Sequence, residues 1–201
     1  MTDKLHAWLC LKSAPGLRTR AALELLNRYP DPQEYVGQPG HPLYADASVD
    51  VKVRQHLSQA TEHPKLPQIA KLCEHYGIEL LCYGEPGYPL GLANIVAPPL
   101  ILYYRGDLPK ALSRICLAVV GTRKPSSYGR EICSRLLAPV CRQNVTIISG
   151  LAAGIDTVAH LAALDNGGLT VAVLASGVET IYPAMNKDLA QRVCGQGALV
   201  S

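Results

Sequence analysis

The sequence of 201 residues has no run of roughly 18 apolar residues, the length a membrane-spanning helix needs. Its N-terminus carries Lys4 but no apolar core behind it, so no secretory leader is read there. Seven cysteines occur, at 10, 73, 82, 116, 133, 141 and 194, yet no two are spaced Cys-x₂₋₄-Cys. That argues against a zinc site. An odd count without a leader points to reduced, buried thiols in the cytoplasm. Repeats and low-complexity tracts are missing. So are Gly-x-Gly-x-x-Gly and Gly-x₄-Gly-Lys-Ser/Thr, the dinucleotide and P-loop fingerprints. The expected cofactor is therefore none.

What is present is a rhythm. Ile115 to Val120 is an apolar run closed by Gly121-Thr122-Arg123-Lys124-Pro125-Ser126-Ser127-Tyr128-Gly129. A helix-like segment leads to a second run, Val145 to Ile148, closed by Ser149-Gly150-Leu151-Ala152-Ala153-Gly154-Ile155-Asp156. Another leads to a third, Thr170 to Leu174, closed by Ala175-Ser176-Gly177. Strand, Gly-rich turn and helix in alternation predict βαβ units and a parallel sheet. All three turns then lie at the carboxyl edge of the sheet, where open α/β folds carry their ligand crevice. Glycines and free helix-start N–H groups suit an anion. The same glycines also suit tight βα turns with no ligand at all.

Charge sharpens the ligand. The net charge is +3. Residues 1–90 hold nine Lys/Arg against ten Asp/Glu, and residues 91–201 hold ten against six. The basic bias thus falls on the sheet-forming half, as a polyanion partner would require. Arg123 and Lys124 stand directly after a strand, and a guanidinium suits phosphate oxygens and stacks on bases. Arg130, Arg135 and Arg142 read as ordinary solvated helix positions.

These residues resemble the DNA-processing protein A family (DprA, also called Smf), which binds single-stranded DNA and loads the RecA recombinase in natural transformation. The matching motifs are Val120-Gly121-Thr122-Arg123 with Tyr128-Gly129, Ile148 to Asp156 with Ala159-His160, and Gly177 with Tyr182-Pro183 and Asn186. Tyr88-Pro89-Leu90 and Pro98 to Gly106 also fit. The resemblance implies a Rossmann-like parallel or mixed sheet at 81–201, preceded by a small helical domain of the SAM or helix-hairpin-helix kind at 1–80. It implies DNA contact by Gly121, Thr122, Arg123, Lys124, Ser149, Gly150, Gly154 and Lys187. It further implies RecA as a partner, a homodimer, and no membrane, metal or catalysis. Tyr-Pro is often followed by a basic residue in the family, where this chain has Ala184. In the family, Gly197 to Ser201 continues into further sheet. Ala198-Leu199-Val200 therefore reads as the start of a fourth strand, the three earlier runs read as central strands covered on both faces, and without the further strands at least one interior strand is expected to become an exposed edge.

Upstream, Leu5, Trp8, Leu9 and Leu11 make one helix face, and Leu17 to Tyr29 forms a second helix after Pro15-Gly16. That turn is either a DNA-phosphate contact flanked by Arg18 and Arg20 or a plain helix stop. Residues 30–47 read as loop with one short helix. Helices are expected at 49–60 and 65–76, and strands at 78–83 and 98–107. Arg105 faces DNA or solvent. Asp156 is expected to cap the helix that follows it, with His160 on the same face, and Asn186 to cap the last helix. An Asp/His pair at this spacing also suits acid–base chemistry, and a phosphoribohydrolase-like nucleotide enzyme is the second reading. Such enzymes carry a Pro-Gly-Gly-x-Gly-Thr loop and a downstream Glu pair that this chain lacks.

Overall fold

The computed structural model describes residues 2–60 and 63–201. They form two compact units. One holds the residues up to His75 together with Leu80–Ile101, and the other holds Tyr76–Glu79 with Leu102–Ser201. The segment 81–101, read from sequence with the sheet domain, lies in the first unit.

In the first unit α1 (Thr2–Ser13) buries Leu5, Trp8, Leu9 and Leu11, as their spacing requires. The chain reverses at Gly16, whose φ of 78° favours a residue without Cβ. The turn amides are already used: Leu17 N donates to Ala14 O and Arg18 N to Gly16 O. α2 (Thr19–Arg28) buries Ala22, Leu25 and Leu26. Residues 30–47 contain two short 3₁₀ turns, Pro32–Glu34 and Pro42–Ala45, rather than one. α3 (Val51–Ser58) is capped by Asp50, and α4 (Leu66–Tyr76) ends before Gly77, at φ 60°. β1 (Glu79–Cys82) and a single turn, α5 (Leu90–Ala93), follow.

The second unit is the Rossmann-like part, and its fold class is the one expected. It runs β2 (Ile101–Gly106), α6 (Leu108–Leu112), β3 (Ile115–Ala118), α7 (Ser127–Cys141), β4 (Val145–Ser149), α8 (Ile155–Asp165), β5 (Thr170–Val173), α9 (Lys187–Gly195) and β6 (Gly197–Val200). Here the strands lie in the order β2-β6-β5-β4-β3. β3 to β6 are parallel, and β2 runs antiparallel to β6. Successive strands step in one direction, so right-handed crossovers put α7, α8 and α9 on one face. The core on that face joins Leu137 and Cys141 of α7, Ile147 of β4, and Ala159 and Ala163 of α8. On the opposite face Thr146 donates its hydroxyl to Ala111 O of α6 at 2.7 Å.

One sequence expectation changes. β3 is not a central strand covered on both faces. It lies at the edge, and all four of its residues are exposed, with Ile115 at 78%. Apolarity shows that a strand favours burial; it does not show which neighbour supplies it. β6 is interior: Gly197 to Val200 pairs with β5, and Ala198 to Val200 with β2. The exposed edge expected of one of the interior strands falls at β3.

Candidate nucleic-acid interface

The site is built where the turns after β3, β4 and β5 meet. A cleft of about 360 Å³ opens there, with Arg123, Gly150, Ala153, Ser176, Tyr182 and Pro183 among its lining residues. Arg123 comes from the first turn, Gly150 and Ala153 from the second, and the rest from the third. Its walls are mostly small or apolar, and its only charged lining side chain is Arg123.

The first two turns interlock through their glycines. A Cβ on Gly154 would meet Thr122 O and lie 2.7 Å from Arg123 Cα. A Cβ on Gly121 would lie 2.7 Å from Ile155 Cβ. Gly154 also has φ 92° and ψ −128°, a backbone region open essentially to glycine alone. Ile155 N donates to Thr122 O at 3.1 Å across the same junction. These glycines let one turn seat against the other, which fixes the backbone that carries Arg123.

The second turn spends its polar groups internally. Ser149 is buried, and its hydroxyl donates to Val119 O at 2.7 Å. Asp156 accepts from Gly150 N at 3.1 Å and Ala152 N at 3.3 Å. The expected cap on α8 is thus a clamp on the preceding turn: Gly154 stands at the N-cap position, and α8 has no side-chain cap. Leu151 is fully buried at φ 57°, and its carbonyl accepts Asn186 Nδ2 at 2.8 Å. Asn186 Nδ2 also donates to Thr157 Oγ1 at 3.0 Å. Asn186 therefore ties the third turn to the second instead of capping α9, which has no side-chain cap. That role spans 35 residues of sequence and has no local signal.

His160 does not pair with Asp156 by hydrogen bond. It is fully buried, and its Nδ1 meets Thr170 Oγ1 at 2.7 Å, while Thr170 donates onward to Ile147 O. Nε2 has no partner. Burial depresses the imidazole pKa to about 4, with Asp156 opposing the shift, so the ring is neutral at pH 7. The Asp156/His160 pair lies on α8, but the two side chains serve separate networks. Among the described residues no group of three or more His, Cys, Asp or Glu is placed to hold a metal ion.

The cations divide in two. On the helices Arg135 pairs with Glu131, Arg192 with Asp165, Arg142 with Asn166, and Arg130 with Pro125 O. Arg105 is half-buried, lies 5.8 Å from the Tyr76 ring centroid and donates to Val178 O at 3.5 Å. Arg123, Lys124 and Lys187 are exposed, and none has an acidic partner among the described residues. Thr122 Oγ1 holds Lys124 N at 3.1 Å, shaping the turn that presents the first two. Lys187 opens α9, next to the third turn. Tyr182, 75% exposed at the cleft, was not singled out from sequence as a site residue, although Tyr-Pro stood among the motifs.

Residues 79–201 match the family described as DNA recombination-mediator protein A. The chain belongs to this family. The DNA processing protein DprA of Bacillus subtilis is 34% identical over 139 residues, 69% of this chain and 47% of that protein. The X-ray structure of DprA from Streptococcus pneumoniae superposes with a TM-score of 0.69 and 26% identity, over all of this chain and 67% of that one. DprA from Helicobacter pylori, whose structure is described in terms of its single-stranded DNA binding mode, aligns at a TM-score of 0.56 and 26% identity. That match covers 63% of this chain and 56% of the other. The chain spans about half the length of the B. subtilis relative. No helix among the described residues is long and apolar enough to cross a membrane.

Proposed function

We propose that this chain binds single-stranded DNA across the carboxyl edge of the β3–β5 sheet, without catalysis. The observation that carries the reading is Arg123, exposed, without an acidic partner among the described residues and lining a cleft whose backbone is locked, with exposed Lys124 next to it in the chain and exposed Lys187 at the start of α9. Arg123 anchors a phosphate, with Lys124 and Lys187 as longer-leashed contacts. Gly121, Thr122 and Gly154 act by holding the first turn in place. Ser149 and Gly150 support it from below, since their polar groups are already bonded. Such contact is electrostatic and largely indifferent to sequence. The relatives named for DNA processing and for single-stranded DNA binding support the same reading. Carried over from the family, the role is protection of incoming single strands and delivery to RecA in the cytoplasm, from a homodimer.

The neutral, sealed His160 and the engaged Asp156 favour binding over the nucleotide-enzyme reading, because neither is free to move a proton. The test is anisotropy of labelled oligo-dT across a salt series, beside a nucleotide-hydrolysis assay. Arg123→Ala is expected to weaken binding and to lower the salt slope by about 0.7, the contribution of one single-strand phosphate contact. An unchanged affinity and slope, or hydrolysis that Arg123→Ala abolishes, refutes the proposal.

A further inference from the structure

The cleft uses Arg123 but not the surface on which the same turn ends, at the start of α7. Tyr128, the second residue of that helix, is 72% exposed and lies outside the cleft's lining. An aromatic ring so exposed adds little to the core, and Gly129 beside it carries no side chain to cover it. Arg130, two residues on, is also exposed but does not swing free. It folds back on the turn: Nη1 donates to Pro125 O at 2.8 Å and Nη2 to Ser127 Oγ at 3.3 Å. Both acceptors are neutral, so they fix the guanidinium without cancelling its charge, and only two of its five N–H donors are used. Pro125 follows Arg123 by two Cα steps, a reach of at most about 7.6 Å, so the held guanidinium stands beside the Arg123–Lys124 corner.

The charge of this corner is not balanced. Glu131, the single acid between Arg114 and Arg142, pairs with Arg135 at 3.7 Å, further along α7. Asp156, on the turn that interlocks with the first, is engaged by Gly150 N and Ala152 N. No acidic side chain among the described residues pairs with Arg123, Lys124 or Arg130. Three cations and one bare aromatic ring thus share the short stretch 123–130.

Basic side chains interleaved with an exposed aromatic are the parts that track a single strand of nucleic acid. The cations follow the phosphates, and the ring takes a base by stacking. We infer that the DNA strand held in the cleft continues over the start of α7, where Tyr128 stacks on a base and Arg130 meets the phosphate beside it. This rests on the single-strand reading of the cleft and adds a second station to it. Pro125 and Ser127 pre-set the guanidinium fork, so little rotamer freedom is lost when a phosphate arrives. A base inside a duplex is already stacked on both faces, so the Tyr128 station selects single strands, which a phosphate contact at Arg123 alone does not.

The test titrates the 201-residue chain with labelled oligo-dT and with an abasic oligomer of the same length, each across a salt series. Tyr128→Ala is expected to weaken oligo-dT binding roughly five- to a hundred-fold with the salt slope unchanged, and to leave abasic binding as it was. The preference for oligo-dT over duplex DNA of equal length should shrink by the same factor. Arg130→Gln keeps an amide N–H for Pro125 O but no charge, and should lower the salt slope by about 0.7 on both oligomers. Arg130→Lys keeps the charge without the fork, and should keep the slope. A residue that only stapled the turn would leave the slope of Arg130→Gln at the wild-type value. Both side chains are exposed, so melting temperatures close to wild type are expected and show that the variants fold. Unchanged oligo-dT affinity in Tyr128→Ala, an equal loss on the abasic oligomer, or a wild-type slope in Arg130→Gln overturns the inference. Arg123→Ala, measured alongside, keeps the two readings apart. If it is silent the cleft reading falls, and if it alone weakens binding only the α7 station falls.

Discussion

Gly154→Ala is the substitution that most directly probes how the cleft is built. The position has φ 92° and ψ −128°, where an L-residue pays about 1–3 kcal/mol of backbone strain. The added methyl would meet the Thr122 carbonyl and lie 2.7 Å from Arg123 Cα, so backbone rather than a flexible side chain must give way. Overpacking of this kind adds about 1–3 kcal/mol. Relaxation is shared between the two costs, and a net loss of about 2–4 kcal/mol follows. For a chain this long each kcal/mol moves the melting temperature by about 2–4 °C, giving a fall of about 4–16 °C. The functional consequence is specific, because the part pushed aside carries Arg123. At a temperature where the variant is folded, its oligo-dT affinity and salt slope should fall as in Arg123→Ala. The double variant should then bind no worse than either single one, since both remove the same contact. Thermal melting and salt-series anisotropy on the four proteins decide the matter. A melting temperature within 2 °C of wild type would show that the turns are not interlocked as described. Strict additivity in binding would show that Gly154 does not act through Arg123.

Other outcomes follow from the same networks. His160 is neutral when folded, with a pKa near 4 against about 6.5 when unfolded. The unfolded chain therefore binds more protons between these values. Its contribution is complete above pH 6.5 and declines as pH falls toward 4, by about 3 kcal/mol at most; melting temperature measured from pH 7.5 to 4.5 should fall less steeply in His160→Asn, and parallel curves would contradict the assignment. Asn186→Ala strands the Leu151 carbonyl and should cost about 1–3 kcal/mol, seen as a lower melting temperature with oligo-dT affinity per folded molecule retained; an unaltered melting curve would remove Asn186 from the network. The exposed β3 edge presents unpaired backbone groups between apolar faces, with Ile115 at 78% and Leu117 at 40% exposure. Light scattering over a dilution series should show concentration-dependent association that Leu117→Lys suppresses, and a monodisperse monomer at every concentration would count against an adhesive edge.

The sheet was legible in the sequence because its signals are local. Each apolar run ends in a glycine-bearing turn, and that punctuation placed β3, β4 and β5 and the cleft beyond them. The allotment of tasks within the turns was not legible, because it is set by contacts between distant segments. Ser149 stands in a loop that suits phosphate by composition, but Val119 reaches its hydroxyl only after 30 residues of chain have folded back. Gly154 looks like a ligand-side glycine until Thr122 and Arg123 are found against it. The edge position of β3 was hidden for the same reason: the run Ile115 to Val120 encodes apolarity, and apolarity does not name a neighbour. Ser149 and Gly154 share a direction. In both, a polar or glycine group that sequence reads as suited to a ligand is engaged in joining one turn to another. What is left for a ligand is what the network cannot use, the charged ends of Arg123, Lys124 and Lys187. A surface made of free cations on a locked backbone holds phosphates firmly and reads bases poorly. The indifference to sequence proposed for this chain thus follows from where its hydrogen-bonding groups have already been used.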